Sequence, residues 1–211
     1  MTLPDVITYV WLGQAFLGII DWGADPDVRQ QVRTGTVAYE MLRPVDIPFY
    51  WFARVMAQRV GTLVLRATPI LILSFVVIGI SLPPSAASFF AFVASMVGAL
   101  LLSSAPATVL TVSLLWTVSG EGISRMMPAV AYALSGMAVP LPLYPDWMIG
   151  VLNFLPFRGL INIPFRLYLC HIPATDLLMH LGHQLEWTVV LLLFSRALFH
   201  RSRRNLVVQG G

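Results

Sequence analysis

Residues 86–118 read AASFFAFVASMVGALLLSSAPATVLTVSLLWTV, 33 residues without a charged side chain. A straight helix of that length would be about 50 Å long, well beyond the roughly 30 Å of hydrocarbon in a bilayer. The run reads as one tilted or bent span. Ser103-Ser104-Ala105-Pro106 supplies the bend, because the piece after Pro106 is too short to cross alone. Of the 211 residues 57% are hydrophobic and 11% charged, and mean hydropathy is +0.78. A soluble domain carries about 25% charged residues. The fold class this implies is all-α, a polytopic integral membrane protein forming a single domain over residues 1–211.

Four more apolar runs flank the first. Residues 6–20, between Asp5 and Asp21, reach only about 22 Å and read as the second half of a span. Residues 57–80 are long enough to cross and carry Arg59 and Arg66, with Pro69 as a kink. Leu82-Pro83-Pro84-Ser85 then makes a tight turn. Residues 122–139 follow Ser119-Gly120-Glu121, with Glu121 and Arg125 spaced for a helix-start ion pair. Residues 185–199 run into the basic cluster Arg201-Ser202-Arg203-Arg204. The expectation is about five spans. Residues 141–175 differ: apolar pieces broken by Pro142, Pro145, Pro156, Pro164 and Pro173, rich in aromatics, suit short helices dipping into one leaflet from the outer side.

Basic residues set the orientation. If the tail, residues 200–211, is cytoplasmic, ten arginines lie inside or at the inner boundary and only Arg158 and Arg166 outside, with Arg66 inside a span. No lysine occurs anywhere, so a P-loop lysine, a Schiff-base lysine and a kinase-type ATP lysine are all excluded. The single Cys170 rules out an intrachain disulfide and a thiolate metal cluster. Despite a pI near 9.4, the arginines sit at the ends of apolar runs and not on a polar surface, which argues for lipid and against nucleic acid. The first apolar run follows Asp5 and no basic segment, so no cleavable signal peptide is expected. No Ser-His-Asp or paired-carboxylate arrangement stands out, and no catalytic residue is assigned.

The one substantial polar stretch, residues 21–50, falls inside the cell in this topology. Asp25 can cap a helix with Pro26 at its first position and Asp27 in its first turn. Gly35 permits a stop or bend, and Arg43-Pro44 ends any continuation. Val28, Val32 and Tyr39 fall on one face, with Arg29, Arg33 and Glu40 elsewhere. Two readings stand open: a helix lying on the headgroups, or a docking element that receives force from a soluble partner.

Residues 35–44, GTVAYEMLRP, resemble the Gly-Thr…Leu…Pro pattern that follows a span in type-2 ABC exporter permeases. SGMAVPL at 135–141 with LPFR at 155–158 is similar to the outer re-entrant region of that family, and RRNLVVQGG at 203–211 to its C-terminal end. Within the family the pattern resembles the viologen-exporter and daunorubicin-resistance-like subgroup. Family members begin with a complete first span, so about 50 residues, a span with its flanks, are expected to be missing at the start.

The resemblance implies a permease subunit of an exporter in the cell's inner membrane, with a cytoplasmic C-terminus. It would move a small lipophilic or cationic, drug-like compound outward, as in multidrug efflux. A second permease subunit, identical or a sister, would enclose the pathway. ATP and Mg would bind a separate ATP-binding subunit, so this chain carries no cofactor and is no enzyme. The ATPase-coupling residues it implies are Asp27, Arg29, Arg33, Gly35, Thr36, Glu40, Leu42, Arg43 and Pro44, with Pro140, Pro156, Phe157 and Arg158 in the outer segment.

Other readings are weighed beside these. A membrane scaffold would transport nothing, and a secondary transporter would favour acidic groups buried in the spans, of which residues 60–118 contain none. Arg66 either contacts the pathway or a neighbouring subunit, or extends its long stem to the interface. His180, His183 and Glu186 share a helical spacing, yet boundary polarity ahead of the last span explains them as well as a metal would, so no metal site is assigned. Ser103 and Ser104 are expected to satisfy carbonyls that Pro106 leaves free.

Overall fold

The computed structural model describes residues 2–117 and 121–203, without the side chains of Glu121, Pro142 and Arg203. Nine α-helices are present in it: α1 Leu3–Ala15, α2 Pro26–Thr34, α3 Val37–Met41, α4 Ile47–Leu73, α5 Ala86–Ser113, α6 Glu121–Leu134, α7 Asp146–Phe154, α8 Asn162–Tyr168 and α9 Leu177–Arg203. No strand occurs among the described residues. Three helices are long and apolar enough to cross a bilayer: α4 with its π-helical end (Ile47–Ile78), α5, and α9. A fourth crossing-length unit is the bent pair Asp146–Phe154 and Pro156–Tyr168, which turns through 73°.

The apolar runs locate these helices but misplace their ends. Helix α4 starts ten residues before residue 57, because Asp46 caps it by accepting the Phe49 N–H and Pro48 pre-sets its first turn. Phe49, Tyr50, Trp51 and Phe52 are therefore helix. Residues 177–184 likewise belong to α9. Pro69 and Pro106 lie inside continuous helices and not at breaks. Ser104 donates to the Leu100 carbonyl and Ser103 to the Ile19 carbonyl, so neither serves Leu102, whose carbonyl Pro106 leaves free. Helices α1 and α6, from the first and fourth runs, have 13 and 14 residues. Arg204 and the tail beyond it, and the Glu121 half of the expected pair with Arg125, lie outside what is described.

Side-chain contacts fix the layout. At one end, the Ser81 N–H donates to Thr8 Oγ1, Tyr168 to the Ser81 carbonyl, and Tyr9 to the Gly136 carbonyl. At the other, Val28, Val37, Ile47, Trp51, Val112 and Phe199 form one buried cluster. Helices α1, α5 and α9 thus run from the first end to the second, and α4 and α6 run back. Leu3 and Arg203 stand at opposite ends.

Helix α5 is the axis. Half of its most apolar stretch is buried, against 11% for α4 and for α9. Apolar burial cannot drive helices together in lipid, so close packing and interhelical hydrogen bonds must do so. Small residues on α5, including Ser95, Ala99, Ser103 and Ala107, let its neighbours approach. Leu12, Ile19, Leu102, Leu160, Ile161 and Phe165 fill the space they leave.

At the first end, Thr2 and Asp5 form a capping box on α1, and Asp5 lies 3.3 Å from His171. The Thr2 backbone N–H, first among the causes, holds the Asp5 carboxyl below its usual range. A lowered folded value means the contribution is present above the unfolded carboxylate pKa and fades as pH falls through the lowered one. The Asp5→Asn chain is expected to lose this acid-dependent step, read as protection of α1 from proteolysis across a pH titration.

Candidate functional site

The segment between α1 and α4 folds as two short helices meeting at Gly35. Asp25 Oδ1 accepts the Asp27 and Val28 N–H groups at 2.8 and 3.3 Å, capping α2. Gly35, at φ +75°, ends it in the left-handed region that glycine enters without strain. This turn also resets the helical phase. Val28, Val37 and Glu40 are the buried residues of the two helices, whereas Tyr39 is 76% exposed and not on the packed face as its spacing suggests.

Arg54, in the second turn of α4, joins these pieces. Its guanidinium lies 3.2 Å from Asp25, 2.5 Å from Asp27 and 3.6 Å from Glu40. Asp25 and Glu40 are buried. Trp51, one turn earlier on the same helix and fully buried, donates its indole N–H to Glu40 Oε2 at 3.0 Å. The Asp25 N–H in turn donates to Thr111 Oγ1 on α5. One arginine thus ties acids from α2 and α3 to a spanning helix. A Trp51→Phe substitution keeps the ring but strands a buried carboxylate oxygen, and should lower the stability of the purified chain by about 1–3 kcal/mol in a thermal melt.

The other expected coupling residues scatter around this junction. Thr36 meets Thr34 hydroxyl to hydroxyl at 2.8 Å across the Gly35 turn. Arg29 and Arg33 lie on α2, Arg33 exposed and Arg29 half-buried. Leu42 is 81% exposed. Arg43 donates to the Tyr50 hydroxyl at 3.3 Å and lies 5.6 Å from its ring centroid. Arg43 and Pro44, with Phe199 and His200 of α9, line a cavity of about 300 Å³. Asp27 and Glu40 converge on one group, Arg54.

At the opposite end, Pro156, Phe157 and Arg158 form the apex between α7 and α8. A Cβ on Gly159 would meet Leu102, near the middle of α5, so the apex reaches about half-way along that helix. Phe157 stacks on Trp22 with centroids 5.1 Å apart, and Arg158 donates to Asn153 Oδ1 at 3.1 Å. Pro140 stands at the base of this segment, ahead of α7, and is not part of the apex. His183 and Trp187 both meet the Phe154 carbonyl, and no metal-holding group of His, Cys, Asp or Glu is present among the described residues. Arg66, exposed on α4, donates Nε–H to the Gln14 carbonyl at 3.3 Å.

A helical bundle with proline-broken pieces at one end and an acid-rich helical pair at the other is compatible with several membrane families. Comparison with known families decides among them, because the sequence model described as ABC-2 family transporter protein matches residues 1–210. The chain belongs to the ABC-2 transporter family. No curated protein and no solved structure matches it. Membership makes it a multi-pass membrane protein, the permease component of an ABC transporter, which works with an ATP-binding subunit.

Sequence reasoning missed the two residues that organise this ABC-2 permease's α2–α3 element, Arg54 and Trp51. The segment from Asp21 to Asp46 holds five acids but also three arginines of its own, Arg29, Arg33 and Arg43, so nothing local singles out an arginine of the next helix as their partner.

Proposed function

We propose that the chain is the membrane half of an ATP-driven exporter and that α2–α3 is its coupling element, gripped by a cytoplasmic ATP-binding subunit. The single observation carrying this reading is the Arg54 junction, which links Asp25, Asp27 and Glu40 to α4. A push on α2–α3 is then transmitted to a span through charge-assisted bonds and not through a slack loop. Tyr39 and Leu42 add exposed apolar surface beside Arg43 at the tip of the element, which suits a protein partner. Support for a cytoplasmic α2–α3 end and tail comes from the arginine distribution. The membrane is the inner one in this reading, ATP and Mg belong to the partner, and a second permease, identical or a sister, completes the pathway.

The proposed cargo is a small lipophilic, drug-like compound. For the cationic class that the resemblance also implied, α4 and α5 offer no acidic side chain. Reconstitution with the ATP-binding subunit tests the coupling. Glu40→Gln and Arg43→Ala should leave nucleotide hydrolysis running while efflux falls about ten-fold, a loss of about 1.4 kcal/mol in coupling. Unchanged efflux in both variants would remove α2–α3 from this role.

A further inference from the structure

We infer that the face where α1 meets α4 is the wall of a water-filled vestibule opening beside α2, and that Arg66 there receives the anionic group of an amphipathic ligand. The inference rests on the permease reading and deepens it by naming a site and a ligand class. Counted along the helix from Ile47, Arg59 and Arg66 lie roughly 18 and 28 Å into a helix about 48 Å long, which puts Arg59 just within the inner boundary of the hydrocarbon and Arg66 deep inside it. Gln58, Thr62 and Arg66 recur at four-residue spacing and are all exposed, as is Gln14 on α1. Such a stripe cannot rest on lipid at that depth. Ionisable groups within spans face protein or a water-filled cavity.

The backbone beside the stripe carries the same constraint independently. Helix α1 stops at Ala15, a single 3-10 turn follows at Leu17–Ile20, and residues 21–25 are not helical. This irregular stretch lies level with Arg59, which donates to the Asp21 carbonyl and to Ser103 Oγ. Non-helical backbone at membrane depth persists only where protein buries it or water reaches it, and Asp21 is exposed. A half-open cavity of about 200 Å³ occupies this position, lined by Gly18, Asp21, Gln58, Arg59 and Thr62 with Pro26 of α2 at its rim.

The charge points to the ligand. Arg66 is held by a neutral acceptor, the Gln14 carbonyl, which fixes its guanidinium without cancelling its charge, whereas Arg59 is engaged by the Asp21 carbonyl and the Ser103 hydroxyl beside the Asp21 carboxylate. Of the two acids lining the cavity, Asp25 is bound to Arg54 and Asp21 lies beside Arg59, so Arg66, one turn beyond Thr62 at the cavity's edge, is the cation that no acid balances among the described residues. A guanidinium presents five donors in a planar fork suited to a carboxylate or sulfonate.

Thiol accessibility tests this in inside-out vesicles containing the full chain with Cys170→Ser. Gln14→Cys and Thr62→Cys should react with a charged methanethiosulfonate about ten-fold faster than Leu65→Cys and Val76→Cys, because the reaction requires a hydrated thiolate. Fluorescein and rhodamine 6G, related xanthene dyes of opposite charge, then report selectivity. Fluorescein at about twice its Kd should slow labelling at position 62 about three-fold, as the empty fraction falls by 1 + [L]/Kd, and Arg66→Gln should remove that protection while Arg66→Lys retains part of it. Labelling at 14 and 62 as slow as at 65 and 76 would mean that another helix or a second copy covers the face, and would overturn the vestibule. Protection by rhodamine 6G equal to that by fluorescein, or protection by neither, would overturn the anion assignment. No nucleotide is involved, so failure here is distinct from failure of the coupling variants.

Discussion

Arg54→Ala is expected to release α2–α3 from α4 and abolish energy coupling. Asp25 and Glu40 are buried, and the substitution removes the cation they share with Asp27. Breaking a buried ion pair by deleting one partner costs about 3–5 kcal/mol, since a desolvated charge is left behind. At 1.4 kcal/mol per factor of ten, the docked-to-undocked ratio falls by roughly a hundred-fold to a few thousand-fold. Limited proteolysis of membranes should then cut within residues 26–41 at a rate the parent chain does not show. Efflux should fall to background while the partner's basal hydrolysis persists. Arg54→Lys keeps the charge but not the planar fork that reaches three carboxylates, so an intermediate phenotype is expected. Protection equal to the parent in Arg54→Ala would mean that the apolar cluster around Trp51 holds the element alone.

Gln184→Ala should be the second most damaging change. Gln184 is fully buried, and its amide donates to the Ser95 carbonyl and hydroxyl on α5 and to the Gly159 carbonyl at the apex of the bent pair. It is the polar pin joining that pair to the central helix. Its loss leaves the Gly159 carbonyl unpaired and a void beside Leu102, together worth about 2–3 kcal/mol even with the modest value of hydrogen bonds in lipid. Gly98 makes an independent check. A Cβ there would overlap the Gln184 amide, so Gly98→Leu must displace the same pin. The two substitutions together should cost less than the sum of each alone, because both remove one interaction. Thermal unfolding of the purified chain measures all three variants.

These two residues also mark where the sequence stops being readable. The uncharged run at 86–118 announces a membrane protein because 33 residues with no charge leave a helix no face to offer water. Asp25, Pro26 and Gly35 announce α2 because capping is local. Helix starts are harder. Hydropathy sees only the part of a helix within hydrocarbon, so the ten residues of α4 before Ala57 and the eight of α9 before Leu185 give no span signal. A helical spacing carried across Gly35 puts Tyr39 on the packed face, and the left-handed turn at Gly35 breaks that spacing. Arg54 and Gln184 are invisible for another reason. Their partners lie 14 to 89 residues away, and nothing local distinguishes a pairing arginine or glutamine from a solvated one.

The account turns on α2–α3 being the surface that the ATP-binding subunit grips. Site-specific photocrosslinking in the assembled transporter tests this most directly, with a benzophenone side chain placed at Tyr39 or Leu42, or at Trp147 beyond the opposite end, all three strongly exposed. The account predicts a crosslink to the ATP-binding subunit from positions 39 and 42 and none from 147. A crosslink from 147 with none from 39 or 42 would contradict it.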